Sequence, residues 1–477
     1  MAAPTFRVIA IELYERPVAL RMPFRFGAAT VTHAPQAFVR ARIRLEDGRE
    51  HDGGAAELMI PKWFDKTPQK SNGDNISDLR RSLIAAADAY VAETRRLSAF
   101  GHFAAHYGAL INLGAKAGLN ALIANYGPAL IDRAVLDALC RALGVSFPAA
   151  IRANLPGVST ALTADLSAFD LDAFFGSLAL PATIAARHTV GMLDSIVAGD
   201  AASRVDDGLP ESLEEVIAAY GNRHFKLKLS GNPRIDTERL VRIAGVVDRL
   251  PGYAITLDGN EQYADTSAVI EFWRNVNATP ALDRLAAATL YLEQPLPRAI
   301  ALDIDVSHLA RSKPLFIDES DATLDAFLVA KAAGYAGVSS KSCKGIYKSL
   351  LNAARCAHWN AGIPPRYFLS GEDLTTQAGL AVQQDLALTA LLGLRHVERN
   401  GHHYVNGFAG QGAGSIEQHA FFDSQPGLYE MSQGGVRLVI RHGVIDISSL
   451  DMPGFAARAQ PDWATLDPLC AALTTAS

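Results

Sequence analysis

From Pro181 onward the chain alternates short β-branched or aromatic runs with helical stretches, and this alternation restricts the possible folds more than any other feature. Eight strand candidates follow one another: Thr183 to Val190, His224 to Leu229, Ala254 to Leu257, Leu290 to Glu293, Leu315 to Ile317, Gly337 to Ser340, Tyr367 to Ser370 and Arg395 to Glu398. Stretches such as Thr237 to Leu250, Ala322 to Ala333 and Tyr347 to Ala361 carry helical periodicity between them. Strands joined through helices run parallel with right-handed crossovers. Eight such units suit a closed (β/α)8 TIM-type barrel of about 250 residues. A doubly wound open sheet is the structural alternative, but no glycine-rich dinucleotide fingerprint follows the first strand.

The charged residues of these runs gather at their C-terminal ends, the face on which an α/β barrel builds its chemistry. Within Phe225-Lys-Leu-Lys-Leu229, period-two alternation aims Lys226 and Lys228 at one space and the three apolar side chains at the other. Asp258, Glu293, Asp318 and Lys341 end the following strands at intervals of 30, 35, 25 and 23 residues, about one βα unit each. Singly, each acid reads as a turn or cap residue, above all Asp258 before Gly259-Asn260. Three acids level on adjacent strands would instead repel one another unless a cation compensated them. Hard oxygen ligands on a rigid frame suit Mg2+ or Mn2+. On an eight-stranded barrel the second and sixth strands face each other, so Lys228 and Lys341 would flank whatever lies between, placed to move a proton α to a carboxylate. Lys226 beside Lys228 would favour the neutral amine by like-charge repulsion.

Ahead of the barrel, residues 6 to 60 read as β, with Glu46-Asp-Gly-Arg49 as a hairpin turn and Met22-Pro-Phe-Arg-Phe-Gly27 as an apolar loop, a candidate lid. Residues 62 to 76 form a polar excursion, and the pattern is helical from about Asp78 to Gly144. The glycines of Asn406 to Gly414 lack the Lys and Ser or Thr of a phosphate loop. With 477 residues, 49% hydrophobic, the chain can bury a large core, and its net charge of -6 argues against a nucleic-acid partner. Cys140, Cys343, Cys356 and Cys470 show no disulfide framework, the N-terminus shows no secretory signal and no stretch suits a membrane span, so a cytoplasmic location is expected.

Five ordered motifs, Phe225-Lys-Leu-Lys228, Leu257-Asp-Gly-Asn260, Leu292-Glu-Gln-Pro-Leu-Pro297, Ile317-Asp-Glu-Ser320 and Lys341-Ser-Cys-Lys344, make the chain resemble the enolase superfamily. Within it the muconate lactonising (muconate cycloisomerase) subgroup of the mandelate racemase/muconate lactonizing enzyme family is the nearest pattern. Met22-Pro-Phe24 and Ala129-Leu-Ile-Asp-Arg-Ala-Val-Leu-Asp137 resemble that family's capping domain. The resemblance implies an α+β capping domain over residues 1 to 150 with an insertion near 62 to 105, a barrel over 151 to 405, and a C-terminal segment, 406 to 477, returning to the cap. It also implies Mg2+ held by Asp258, Glu293 and Asp318, with Lys228 and Lys341 as acid/base catalysts tuned by Lys226. Asn260, Glu319, Lys344, Glu372 and Phe24 are expected to support these groups or meet substrate. Val338-Ser-Ser-Lys341 lacks the apolar residue usual before the sixth-strand lysine, which leaves Lys344 as an alternative to the preferred Lys341.

The expected activity is α-proton abstraction from a small-molecule carboxylate to a metal-stabilised enediolate, followed by racemisation or epimerisation, cycloisomerisation or elimination. A Schiff-base aldolase on a barrel lysine and a catalytically silent metabolite-binding relative are the alternatives. A homo-oligomer without membrane partners is expected. Adjacent His402 and His403 read as a surface loop rather than a zinc site, and His188 as either a pocket residue or a buried, satisfied histidine.

Overall fold

The computed structural model describes residues 3–27, 29–200, 204–362 and 364–469. Strands β1 (Phe6–Phe26), β2 (Ala29–Leu45) and β3 (Glu50–Leu58) form an antiparallel sheet in which β1 and β2 pair from Phe6↔Leu45 to Phe26↔Ala29. Three helices follow: α1 (Asn72–Ala92), α2 (Ala99–Lys116) and α3 (Ala121–Leu143). Asn120 caps α3 through the Ile123 amide, and Gly144, at φ 66°, ends it in the left-handed conformation. α3 lies so close on the sheet that a Cβ on Gly53 would stand 2.1 Å from the Ala138 nitrogen.

Two local expectations change here. The helix expected from Asp78 starts at Asn72, because Ser71 and Asp74 cap each other's backbone reciprocally and nucleate the first turn inside the polar excursion. Met22-Pro-Phe24 is part of β1 and not a loop: the ladder slips between Ala19 and Phe24, where Pro23 has no N–H to give, and then resumes.

The second sheet closes on itself. β4 (Thr183–Val190), β5 (His224–Lys228), β6 (Ala254–Asp258), β7 (Thr289–Glu293), β8 (Leu315–Ile317), β9 (Gly337–Ser340), β10 (Phe368–Gly371) and β11 (His396–Glu398) pair in sequence, all parallel. β11 then pairs β4, through His396↔Ala185 to Glu398↔Arg187, so the chain contains a closed eight-stranded (β/α)8 barrel. Phe225, Leu227, Ile255, Leu257, Ile317 and Val338 point outward into a continuous apolar layer under the helices. Inside, Tyr291 and Phe368 stack at 5.1 Å and Phe316 meets the Tyr291 ring edge-on, which plugs the barrel below its mouth.

After the barrel, β12 (Tyr429–Ser432) and β13 (Gly435–Leu438) form a hairpin, β14 (Val444–Asp446) adds antiparallel to β4, and β15 (Asp467–Pro468) adds to β1 through Tyr14↔Pro468. The N-terminal sheet thus holds strands from both ends of the described chain. The glycine-rich stretch packs on this hairpin, where a Cβ on Gly407 would stand 2.2 Å from the Val436 carbonyl oxygen. Cap and barrel meet where Asn125 Nδ2 donates to the Lys344 carbonyl at 2.8 Å and Gln384 Nε2 to the Gly54 carbonyl at 2.8 Å.

His402 and His403 do not form a surface loop. They lie in a helical turn, Gly401–Tyr404, and both are buried, with the His403 ring edge-on to His188 at 4.8 Å. His188 faces this cluster and not the barrel interior, because it pairs with the outward Phe225; its Nδ1 has no hydrogen-bond partner. Among the described residues the three cysteines are free and buried, and no helix is long and apolar enough to cross a membrane; Cys470 lies outside the described residues.

Candidate active site

Strand alternation makes the inner wall. In β5, Phe225 and Leu227 take the helical layer, so Lys226 and Lys228 turn into the barrel mouth, 1% and 6% exposed. Register with β6 and β7 sets Lys228 beside Asp258 and Asp258 beside Glu293. Asp318 follows β8 and Lys341 follows β9. β5 and β9 stand four strands apart in an eight-strand ring, so Lys228 and Lys341 rise from opposite walls.

Lys226 is the hub. Its Nζ donates to Glu372 Oε2 at 2.7 Å and Glu398 Oε2 at 2.9 Å, and lies 2.7 Å from Glu293 Oε2 and 3.0 Å from Asp258 Oδ2. Burial opposes the Lys226 charge, but these four carboxylates outweigh it and hold its pKa well above the usual lysine value. Lys226 and Lys228 meet through a shared oxygen, Asp258 Oδ2, which accepts from Lys228 Nζ at 2.6 Å. The geometry therefore joins the two ammonium groups through an acid, where the sequence suggested simple repulsion. Asp258 Oδ1 accepts from the Asn260 amide at 2.8 Å, so the turn role expected of Asp258 is confined to one of its oxygens.

On the opposite wall Lys341 Nζ donates to Asp318 Oδ2 at 2.6 Å, and the Trp63 ring lies 4.2 Å from the same ammonium. Lys344 has other partners: Ser339 Oγ at 2.5 Å, Asp321 Oδ2 at 2.8 Å and the Asp318 carbonyl at 3.3 Å. It braces the Asp318 turn. Burial disfavours the Asp318 charge, but Lys341, Lys344 and Lys226 hold its carboxyl well below the ordinary range. Glu293 goes the other way: burial and the charges of Asp258 and Glu372 push it well above.

Of the remaining residues expected at the site, Glu372 lies at its centre, where Arg187 and Ser370 also donate to it. Asn260 and Glu319 form the rim, with Asn260 Nδ2 donating to Glu319 Oε1 at 3.3 Å. Phe24 does not join this group. It packs on Tyr404 at 4.3 Å and on Phe26, at the tip of the β1–β2 hairpin.

Four further side chains belong to the site. Arg187 crosses the barrel interior to Tyr291 Oη at 2.7 Å and the Gly371 carbonyl at 2.7 Å as well as to Glu372. Glu398 ends the eighth strand; burial disfavours its charge, but Lys226, Lys228 and Lys341 hold its pKa well below normal. Trp63 and Lys66 come from the cap. Lys66 Nζ reaches Glu261 Oε2 at 2.6 Å, the Asn260 carbonyl at 2.9 Å and Glu319 Oε1 at 3.1 Å. A cavity of about 460 Å3 lies beside it, lined by Phe26, Thr30, Lys62 and Gln262 among others.

Residues 61 to 70 therefore lean over the mouth, and Arg298 ties them down. Its guanidinium donates to the Trp63 and Phe64 carbonyls, each at 2.8 Å, while Glu261 takes it bidentately. Arg298→Ala is expected to speed amide exchange across residues 61 to 70 about tenfold or more, since a hydrogen bond to a charged group contributes about 1.5–3 kcal/mol. Unchanged exchange in a hydrogen–deuterium experiment would mean that the loop is held by something else.

Among the described residues no set of three or more His, Cys, Asp or Glu side chains is gathered as it would be around a metal ion. Asp258 and Glu293 are close, but Lys226 stands against both, and Asp318 is turned to Lys341 and Lys344. The donor chemistry nonetheless fits a hard divalent cation. Both Glu293 carboxylate oxygens are buried and accept no hydrogen bond.

Residues 208–428 match the family described as enolase C-terminal domain-like. Solved structures with the same fold include a muconate lactonizing enzyme from Pseudomonas fluorescens complexed with muconolactone, 16% identical over 96% of this chain and 98% of that one, with a TM-score of 0.57. A dipeptide epimerase from Cytophaga hutchinsonii, complexed with Mg and D-Ala-L-Val, is 17% identical over 97% and 98%, with a TM-score of 0.56. An N-succinyl Arg/Lys racemase from Bacillus cereus is 18% identical over 83% and 87%, with a TM-score of 0.53. Comparison with curated proteins yields no match.

Proposed function

We propose, from the match of residues 208–428 to the enolase C-terminal domain-like family, that the chain is an enzyme that removes the α-proton of a carboxylate substrate. The observation that carries this reading is the opposition of Lys228 and Lys341 across the barrel mouth, with Asp258, Glu293 and Asp318 on the three strands between them. Muconate lactonizing enzymes, epimerases and racemases among the structural relatives favour isomerase or lyase chemistry of this type.

A substrate α-carbon between the two walls presents one face to Lys228 and the other to Lys341. One amine takes the proton on its Nζ, and the opposite ammonium returns a proton from its own Nζ. Return to the α-carbon inverts the centre, giving racemisation or epimerisation. Loss of a β-substituent or ring opening completes an elimination or cycloisomerisation instead. Mg2+ held by Asp258, Glu293 and Asp318 would supply Lewis-acid stabilisation of the negative charge that develops on the substrate carboxylate. Trp63 covers Lys341 and excludes water from its ammonium. Lys344, braced by Asp321 and Ser339, keeps Asp318 in place and takes no proton from substrate.

Incubation of the wild-type chain with a panel of carboxylic acids and Mg2+ in deuterated water tests this directly. Deuterium should appear at the α-carbon of at least one acid, and EDTA should stop it. No exchange across the panel would sink the proposed reaction, and exchange indifferent to EDTA would remove its metal.

A further inference from the structure

The four carboxylates around Lys226 are not equivalent. Glu372 and Glu398 accept hydrogen bonds from Nζ at 2.7 and 2.9 Å, Glu293 Oε2 stands at 2.7 Å, and Asp258 Oδ2, at 3.0 Å, already accepts from Lys228. The first two are also fixed from behind. Arg187 and Ser370 donate to Glu372 Oε1, Thr189 donates to Glu398 Oε1, and the Asp373 amide donates to Glu398 Oε2 at 2.9 Å. Nothing donates a hydrogen bond to either oxygen of Glu293. Asp258 is held by the Asn260 amide at 2.8 Å and Lys228 Nζ at 2.6 Å, so among the four the loose partner of Lys226 is Glu293, on β7.

We infer that Glu372 and Glu398 are positioning residues that retain the Lys226 ammonium when a divalent cation claims Asp258 and Glu293. The inference rests on the proposed assignment of the metal to Asp258, Glu293 and Asp318. An ammonium and a metal ion cannot both use the same two carboxylate oxygens at contact distance, so the affinity of the site depends on where the ammonium goes. With Glu372 and Glu398 in place it keeps two hydrogen bonds while giving up two ion-pair contacts. With either acid neutralised it falls back on Asp258 and Glu293 and competes with the ion. Charge alone would also make any nearby acid favour a cation, so the distinguishing quantity is the coupling to Lys226 and not the loss itself.

The test titrates the full-length, EDTA-stripped chain with Mn2+ and reads free Mn2+ by electron paramagnetic resonance, without substrate. Glu398→Gln and Glu372→Gln should each weaken Mn2+ binding, and by about tenfold more when Lys226 is present than in a Lys226→Met background. Equal losses in both backgrounds would mean that these acids act through charge alone, overturning the inference while leaving the proposed reaction standing. Because Lys226→Met removes the charge that offsets the acid cluster and puts folding of that variant at risk, the Mn2+-loaded crystal structure of the unsubstituted chain serves as a second measurement. Lys226 Nζ should stay within about 3.2 Å of Glu372 and Glu398 and be out of contact with Asp258 and Glu293. An ammonium still seated on Asp258 and Glu293 beside the bound ion overturns the inference, and a wild-type chain that binds no Mn2+ overturns both it and the metal assignment.

Discussion

Lys228→Ala and Lys341→Ala should each lower turnover by about 10²–10⁴-fold, the usual contribution of one positioned acid or base, and they should fail on opposite faces of the substrate. If the overall reaction inverts a centre, one variant should still exchange the α-proton of one stereoisomer in deuterated water, and the other variant that of its mirror image. This follows from the ring geometry, since β5 and β9 are four strands apart and each lysine reaches inward from its own wall. Lys344→Ala provides the control within the same motif. Its ammonium is occupied by Asp321, Ser339 and the Asp318 carbonyl, so its removal should loosen Asp318 and weaken metal binding without erasing exchange on either face. If Lys344→Ala removes exchange on one face and Lys341→Ala does not, the two lysines exchange roles.

Acid should unfold the chain through its buried histidines. Burial holds His188 down to about 3 and His396 to about 2, and Arg187 adds to the latter. His402 and His403 also lie well below the usual value, first through burial and then through His188 and the Arg437 and Arg21 charges. All four are therefore neutral when folded, whereas the unfolded chain protonates them near pH 6.5. The unfolded state then binds more protons, so stability falls as pH drops below about 6.5, by up to about 1.4 kcal/mol per pH unit for each histidine. The loss continues to about pH 3 for His188, where the folded form begins to titrate. Buried acids such as Glu293 oppose this trend, so the comparison belongs between variants. His188→Asn and His402→Gln should each flatten the stability profile between pH 7.5 and 5.5 in chemical denaturation. Parallel profiles for wild type and both variants would show that these rings are protonated in the folded protein.

The barrel was legible because its signals are local. Each strand is a short apolar run, each crossover is helical, and all eight strands lie within a residue or two of where the pattern puts them. Alternation also suffices to put Lys226 and Lys228 on one face, since apolar residues separate and bracket them. It fails for Thr183 to Val190, where Arg187 and His188 are neighbours and nothing in the run says which turns inward. Only the pairing of Arg187 with His224 and of His188 with Phe225 decides that. Trp63 and Lys66 carry no local signal at all, because the groups they cover lie more than 190 residues away in sequence. Adjacent His402 and His403 misled for a different reason: the burial came from packing against β4, and polarity alone suggested solvent.

The sheet that carries the mouth-covering loop is completed by residues from both ends of the described chain. Tyr14 pairs with Pro468 and Glu15 with Asp467, a contact whose loop closure is among the longest a chain of this size can make. Pairings of that separation form late. During synthesis the barrel strands, with their local crossovers, can assemble while the edge of β1 is still waiting for its last partner. Residues 61 to 70 are held over the mouth by Arg298 of the barrel, so the cover needs the barrel in place, whereas the strand at Asp467–Pro468 only seals the edge of the sheet behind it.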